Sequence, residues 1–157
     1  MRSLFRSLPG RAALLATLVA AAGCEAIAAG DDFTAAYDGY LNKCASCHSP
    51  GNQPSGAETS LDFSTADTAR ATLKGGSAAG LVGNQAACNG VPFVVAGKPD
   101  ESLLMAVLDE TVRQKFDNAS AAGCDGSGAI SDMTVRVGGS DADAIAKLRA
   151  WIEAGAE

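Results

Sequence analysis

Cys44-Ala45-Ser46-Cys47-His48 is the stretch on which the reading of this chain turns. Two thiols stand one helical turn apart, and an imidazole follows the second directly. Three chemistries use such a cluster. A structural zinc site wants four Cys or His ligands, usually as two paired clusters, and this sequence has no second cluster. A redox-active dithiol of the thioredoxin type needs a βαβ pattern around it, and none is visible. The remaining use is covalent attachment of haem: the two thiols add to two vinyl groups of one porphyrin, and the neighbouring His turns its imidazole onto the iron. The expectation is one covalent haem c, held by Cys44 and Cys47 and ligated by His48.

The sixth ligand is narrowed by counting. His48 is the only histidine, so this chain cannot supply a second imidazole, and the position falls to Met, to a weaker ligand or to nothing. Met105 sits in Leu103-Leu104-Met105-Ala106-Val107, an apolar helical run in which a Met side chain fills core gaps. Met133 sits in a glycine-flanked, polar stretch with Asp132, Thr134 and Arg136, where it has no packing role. Loops can hold such a side chain over a haem face. The sequence favours Met133 as the axial ligand, with Met105 as the lesser candidate.

Upstream of the motif the chain reads as an export signal. Arg2, Arg6 and Arg11 precede an apolar run from Ala12 to Ala22 that is too short for a membrane span. Leu18 to Cys24 resembles a lipoprotein signal in which Cys24 becomes the lipidated N-terminus, and Ala26-Ile27-Ala28 offers ordinary cleavage instead. Residues 1–28 are thus expected to be a signal peptide and residues 29–157 a single domain, exported to the periplasm or lipid-anchored to the outer membrane and facing the periplasm. From Cys24 onward nine basic residues face 18 acidic ones, a formal net charge of −9. Nucleic acid and anionic membranes are poor partners for that charge, and a redox protein with a basic docking face is the better one.

Periodicity predicts a mostly α-helical domain with long glycine-rich loops. A first helix spans Asp31 to Asn42, capped by Asp31 or Asp32, with Phe33, Ala36, Tyr37, Tyr40 and Leu41 on one stripe. A second covers Thr65 to Leu73 and stops at Gly75-Gly76. Gly80 to Gly97 reads as loop with an extended stretch at Val91 to Val95. Pro99-Asp100 opens a third helix that fades near Phe116, and residues 117–139 are irregular. Ser140 to Asp143 resembles a capping box for a final helix, with Ile145, Leu148, Trp151 and Ile152 as its buried face. Trp151 is expected to pack against the first helix, Asp141 and Asp143 to serve the final helix's N-terminus, and Asp109-Glu110 and Asp31-Asp32 to be solvated.

Three blocks carry a resemblance: Tyr37 to Leu41 leading into the Cys44–His48 motif; Val95 to Leu104; and Met133 to Gly139 followed by Ser140 to Ala156, with Leu148-Arg149-Ala150-Trp151-Ile152. Together they resemble small bacterial monohaem cytochromes of the class I type. The resemblance implies a class I cytochrome c-like helical domain around one haem, with Met133 axial ahead of the final helix. In that family Pro usually follows the axial Met, whereas Thr134 follows it here. His/Met ligation saturates the iron and implies an electron carrier acting between exported redox partners, not an enzyme. The alternatives are a five-coordinate haem protein that binds gas or peroxide, and a fixed electron-wire subunit of a membrane-anchored complex. A peroxidase would want a distal acid–base group, and there is no second His to supply it.

The cysteine count adds an independent expectation. Setting aside the haem pair leaves Cys24, Cys88 and Cys124. In an oxidising compartment Cys88 and Cys124 should pair, while Cys24 is lipidated or cleaved away.

Overall fold

The computed structural model describes residues 29–53, 60–118, 124 and 130–157. The expected processing sites, at Cys24 and at Ala26-Ile27-Ala28, lie outside the described residues. Five α-helices follow one another: α1 (Ala29–Gly39), α2 (Ala66–Gly75), α3 (Leu103–Leu108), α4 (Glu110–Asn118) and α5 (Ala142–Glu153). Four 3₁₀ turns lie between them, at Leu41–Ser46, Gly83–Cys88, Pro99–Glu101 and Thr134–Arg136. Among the described residues there is no strand, only an isolated antiparallel bridge between Ser77 and Pro92. The domain is therefore mostly helical, and none of its described helices is long and apolar enough to cross a membrane.

The body of the fold is the contact between α1 and α5. Helical spacing puts Phe33, Ala36 and Tyr37 on one buried stripe, and Leu148, Trp151 and Ile152 on the other. The Phe33 and Trp151 rings meet with centroids 4.6 Å apart and planes tilted by 53°. Trp151 Nε1 donates to the Glu157 carbonyl at 3.0 Å, so the buried indole keeps a hydrogen-bond partner. Trp151 is thus core against the first helix, as its spacing suggested.

Four boundaries differ from the periodicity. Helix α1 begins at Ala29, so the backbone of Asp31 and Asp32 lies inside it and not at the capping position. It also ends at Gly39 and does not run on to Asn42. Tyr40 leaves the helical basin at φ −143° while its hydroxyl donates across 99 residues to the Gly139 carbonyl at 2.8 Å. A tertiary anchor therefore sets that end, and it starts the 3₁₀ turn that carries Cys44. The third helix is divided. Asp109 is extended, and its carboxylate accepts from the amides of Thr111 at 2.8 Å and Val112 at 3.3 Å, which makes it the cap of α4. Asp109 is consequently not a solvated charge, and it also pairs with Arg149 at 3.2 Å. At α5 the cap is Asp141 and not Ser140: the Asp141 carboxylate accepts from the Ala144 amide at 3.0 Å. That moves Asp143 into the first turn, where its charge faces the helix N-terminus.

Helix α2 keeps its expected place. Thr65 and Thr68 exchange amide-to-hydroxyl bonds of 3.2 and 3.1 Å, a reciprocal cap built from two threonines. At its far end a Cβ on Gly76 would stand 2.4 Å from the Thr72 carbonyl and 2.9 Å from the Phe93 ring, so only glycine fits there. The stretch 80–97 is mostly loop, as expected, but Gly83–Cys88 is wound into a 3₁₀ turn. Val91 to Val95 forms no strand; it rests on Phe93 N–Gly76 O and Ala78 N–Val91 O bonds of 3.1 and 2.9 Å. Cys88 and Cys124 are paired at disulfide distance, 36 residues apart in sequence.

Candidate functional site

A cavity of about 390 Å³ opens beside the 3₁₀ turn Leu41–Ser46. That size is ordinary for a site holding a small molecule or cofactor. Cys44, Cys47 and His48 form part of its wall. Leu103, Leu104, Val107 and Leu108 of α3 supply an apolar side, and Phe63, Leu73 and Phe93 add to it. Ile130, Met133 and Val137 come from the stretch before α5. Among the described residues, the charged members of the lining are Lys43 and Arg136, two cations with no acid beside them.

The turn that carries the motif is closed tightly by its own backbone. The amides of Cys47 and His48 both donate to the Cys44 carbonyl, at 3.1 and 2.8 Å. The His48 carbonyl in turn accepts from the Phe63 amide at 2.7 Å, and the imidazole meets the Phe63 ring edge-on with centroids 6.1 Å apart. Ser49 Oγ donates to the Ala45 carbonyl at 2.7 Å, bracing the segment just past the motif. The turn is thereby held by its own backbone, with the imidazole resting against the Phe63 ring.

Cys44 is half-buried and Cys47 exposed, and they are not bonded to each other. Burial, with the neighbouring Cys47, pushes the Cys44 thiol up to about 11. A dithiol built for exchange needs its attacking thiol lowered, and Cys44 is moved the other way. Nor is a zinc cage assembled: among the described residues no three His, Cys, Asp or Glu side chains come together to hold a metal ion. Both rival uses of the motif therefore lack support in the geometry.

The two methionines separate cleanly. Met105 is fully buried within α3 and is not among the residues that line the cavity. Met133 lines the same cavity as Cys44, Cys47 and His48, and its amide donates to the Val107 carbonyl at 3.0 Å. Cys88 also belongs to this wall, and beside it Gln85 is hydrogen-bonded to Ser131, two residues before Met133. Three participants were not legible in the sequence: Lys43 and Arg136 in the lining, and Arg113, whose contacts with the Met133 loop are set out below. Nothing about an isolated basic residue signals which cavity it will face.

The chain matches no family model, no curated protein and no solved structure in the three comparisons made.

Proposed function

We propose that this protein is an exported c-type cytochrome of the class I kind, carrying single electrons between redox partners. The observation that carries the reading is the meeting of Cys44, Cys47, His48 and Met133 on one apolar cavity. In it Cys44 and Cys47 hold the haem through thioether bonds, His48 supplies the fifth ligand and Met133 the sixth. When bound, the haem supplies a one-electron Fe(III)/Fe(II) couple. The residues fit that group in three respects. The lining is apolar, as a porphyrin face requires. The charged members, Lys43 and Arg136, are both cationic and complement the two carboxylates that a haem carries. His48 is the sole imidazole, and its ring stands edge-on to the Phe63 ring.

With Met133 at the sixth position no site remains for a substrate, which favours a carrier over a catalyst. The chain's role is then to hold, orient and shield. Phe63, Phe93 and the α3 leucines keep water from the ring, and the polypeptide adds no acid–base step. The exterior charge of −9 from Cys24 onward suits transient docking to a partner with a basic face, steered electrostatically across a small interface. Cys24 offers a lipid anchor at the periplasmic face of the outer membrane if the lipoprotein signal is used.

Expression in a host competent in cytochrome maturation tests the proposal. The expected product is coloured, carries the mass of one haem through denaturation, and loses it when Cys44 and Cys47 are both changed to Ala. A colourless product whose mass equals that of the bare polypeptide would overturn it.

A further inference from the structure

We infer that Arg113 is a positioning residue for Met133, clamping the loop that presents this side chain to the cavity; the inference rests on the haem reading above. The loop has little packing of its own. Its 3₁₀ turn Thr134–Arg136 contains no buried residue, and Val135 is 70% exposed. Met133 itself is only partly buried against the core, so apolar packing alone leaves its position loosely set.

Polar contacts add the rest, and those of Asp132 and the α3 carbonyls converge on one guanidinium. Arg113 roots in α4, behind the Asp109 cap, and its side chain is only 12% exposed. Its Nη2 meets Asp132 Oδ2 at 3.0 Å. Its Nη1 donates to the Ala106 carbonyl at 3.3 Å and lies 3.5 Å from that of Val107. The Val107 carbonyl is the group that accepts the Met133 amide. On the other side, Asp132 Oδ1 accepts from the Thr134 amide at 2.9 Å and from its hydroxyl at 2.6 Å. Met133 is thus gripped from the residue before it, the residue after it and its own amide. Arg113 joins the first and third of these grips to the end of α3.

A charge-assisted bond to a mostly buried guanidinium is directional and hard to replace. Without it the loop would sample positions in which Met133 is not poised, and the competent fraction would fall. An outside ligand competing for the sixth position then gains by the same factor.

The test uses haem-loaded protein and free imidazole as the competitor. Arg113→Met keeps the apolar stem and removes the clamp. Arg70→Met is the control: it removes an arginine whose Nη2 bonds Thr34 at 3.1 Å between α2 and α1, away from the loop. In Arg113→Met, imidazole should bind about tenfold more tightly, and amide exchange at Met133 and Thr134 should quicken by about the same factor. Arg113→Lys should fall between wild type and Arg113→Met, because an ammonium cannot make the forked contact. Arg70→Met should lower thermal stability and change neither readout. If imidazole affinity and exchange in Arg113→Met stay within about twofold of wild type, the clamp is refuted while the ligation scheme stands. If the wild-type ferric protein lacks the far-red band expected of Met ligation, the ligation scheme itself has failed, and the positioning role fails with it.

Discussion

Truncating the two methionines in parallel separates packing from ligation. Met105 is 0% exposed on α3, with Leu103, Leu104, Ala106 and Leu108 buried around it on the same short helix. Met→Ala in such a place leaves a hole that close-packed neighbours fill only in part, and costs about 2–5 kcal/mol. The better helix propensity of Ala returns only a few tenths of that. We expect about 3 kcal/mol, roughly a hundredfold in the unfolding equilibrium. Met133 is only partly buried and sits at the start of a turn with no buried residue, so its packing loss should be nearer 1 kcal/mol.

Two measurements on each variant decide the matter. Guanidinium unfolding followed by Trp151, the only tryptophan, reports stability from inside the α1–α5 core. The ferric absorption spectrum reports the far-red band of Met ligation. Met105→Ala should unfold at clearly lower denaturant with the band intact. Met133→Ala should lose the band and shift to a lower reduction potential, because Met/His ligation raises the potential. If Met105→Ala abolishes the band while Met133→Ala retains it, the assignment of the cavity wall is wrong.

Removing the disulfide by Cys88→Ser with Cys124→Ser should cost up to about 4 kcal/mol on the chain-entropy model for a loop of 36 residues. Urea unfolding with and without reductant checks this, since reductant should destabilise the parent and leave the double variant unchanged. Asp100 should shape the acid limb of stability. Hydrogen bonds from Lys115 and then Arg149 hold its carboxyl below the usual carboxylate range. A carboxyl lowered on folding contributes in full above its unfolded value near pH 4 and loses that contribution as pH falls through the folded value. Asp100 is 46% exposed, so the contribution is at most about 1 kcal/mol after solvent screening. Asp100→Asn should therefore destabilise at pH 7 and flatten the decline of stability below about pH 4. Urea midpoints of the variant that fall with acid as steeply as those of the parent would refute the assignment.

The parts of the fold that were legible are those fixed by local spacing. The stripes Phe33–Ala36–Tyr37 and Leu148–Trp151–Ile152 repeat at helical intervals, and burial follows them directly. Gly75-Gly76 marked the end of α2, and at Gly76 a side chain has nowhere to go. Two of the misplaced boundaries share one cause: a polar side chain overrode an apolar pattern. The stretch from Pro99 to Phe116 reads as one helix, yet Asp109 breaks it by capping α4 with its own carboxylate. Tyr40 continues the stripe of α1 in sequence, but its hydroxyl is spent on a carbonyl 99 residues away. In the candidate site, the Cys44–His48 motif and Met133 stood out by residue type alone, and the fold brings them to one cavity. The clamp did not, because Arg113 and Asp132 lie 19 residues apart and acquire meaning only when α4 is folded back on the loop.

The acidic composition and the acid-free cavity look contradictory until the aspartates are followed to their places. Asp109 and Asp141 cap α4 and α5, Asp100 holds Lys115 and Arg149, and Asp132 holds Arg113 and Thr134. Each of these carboxylates is engaged in a cap or an ion pair, and none of the four lines the cavity. Lys43 and Arg136, by contrast, make no ion pair among the described residues; Lys43 rests over the Tyr40 ring at 5.2 Å. In a chain with 18 acids and 12 bases, the described lining that carries Cys44, Cys47, His48 and Met133 thus presents two unpaired cations and no acid. Cations left unpaired beside an apolar cavity raise its potential and favour a ligand that carries negative charge, as the proposed haem does through its carboxylates.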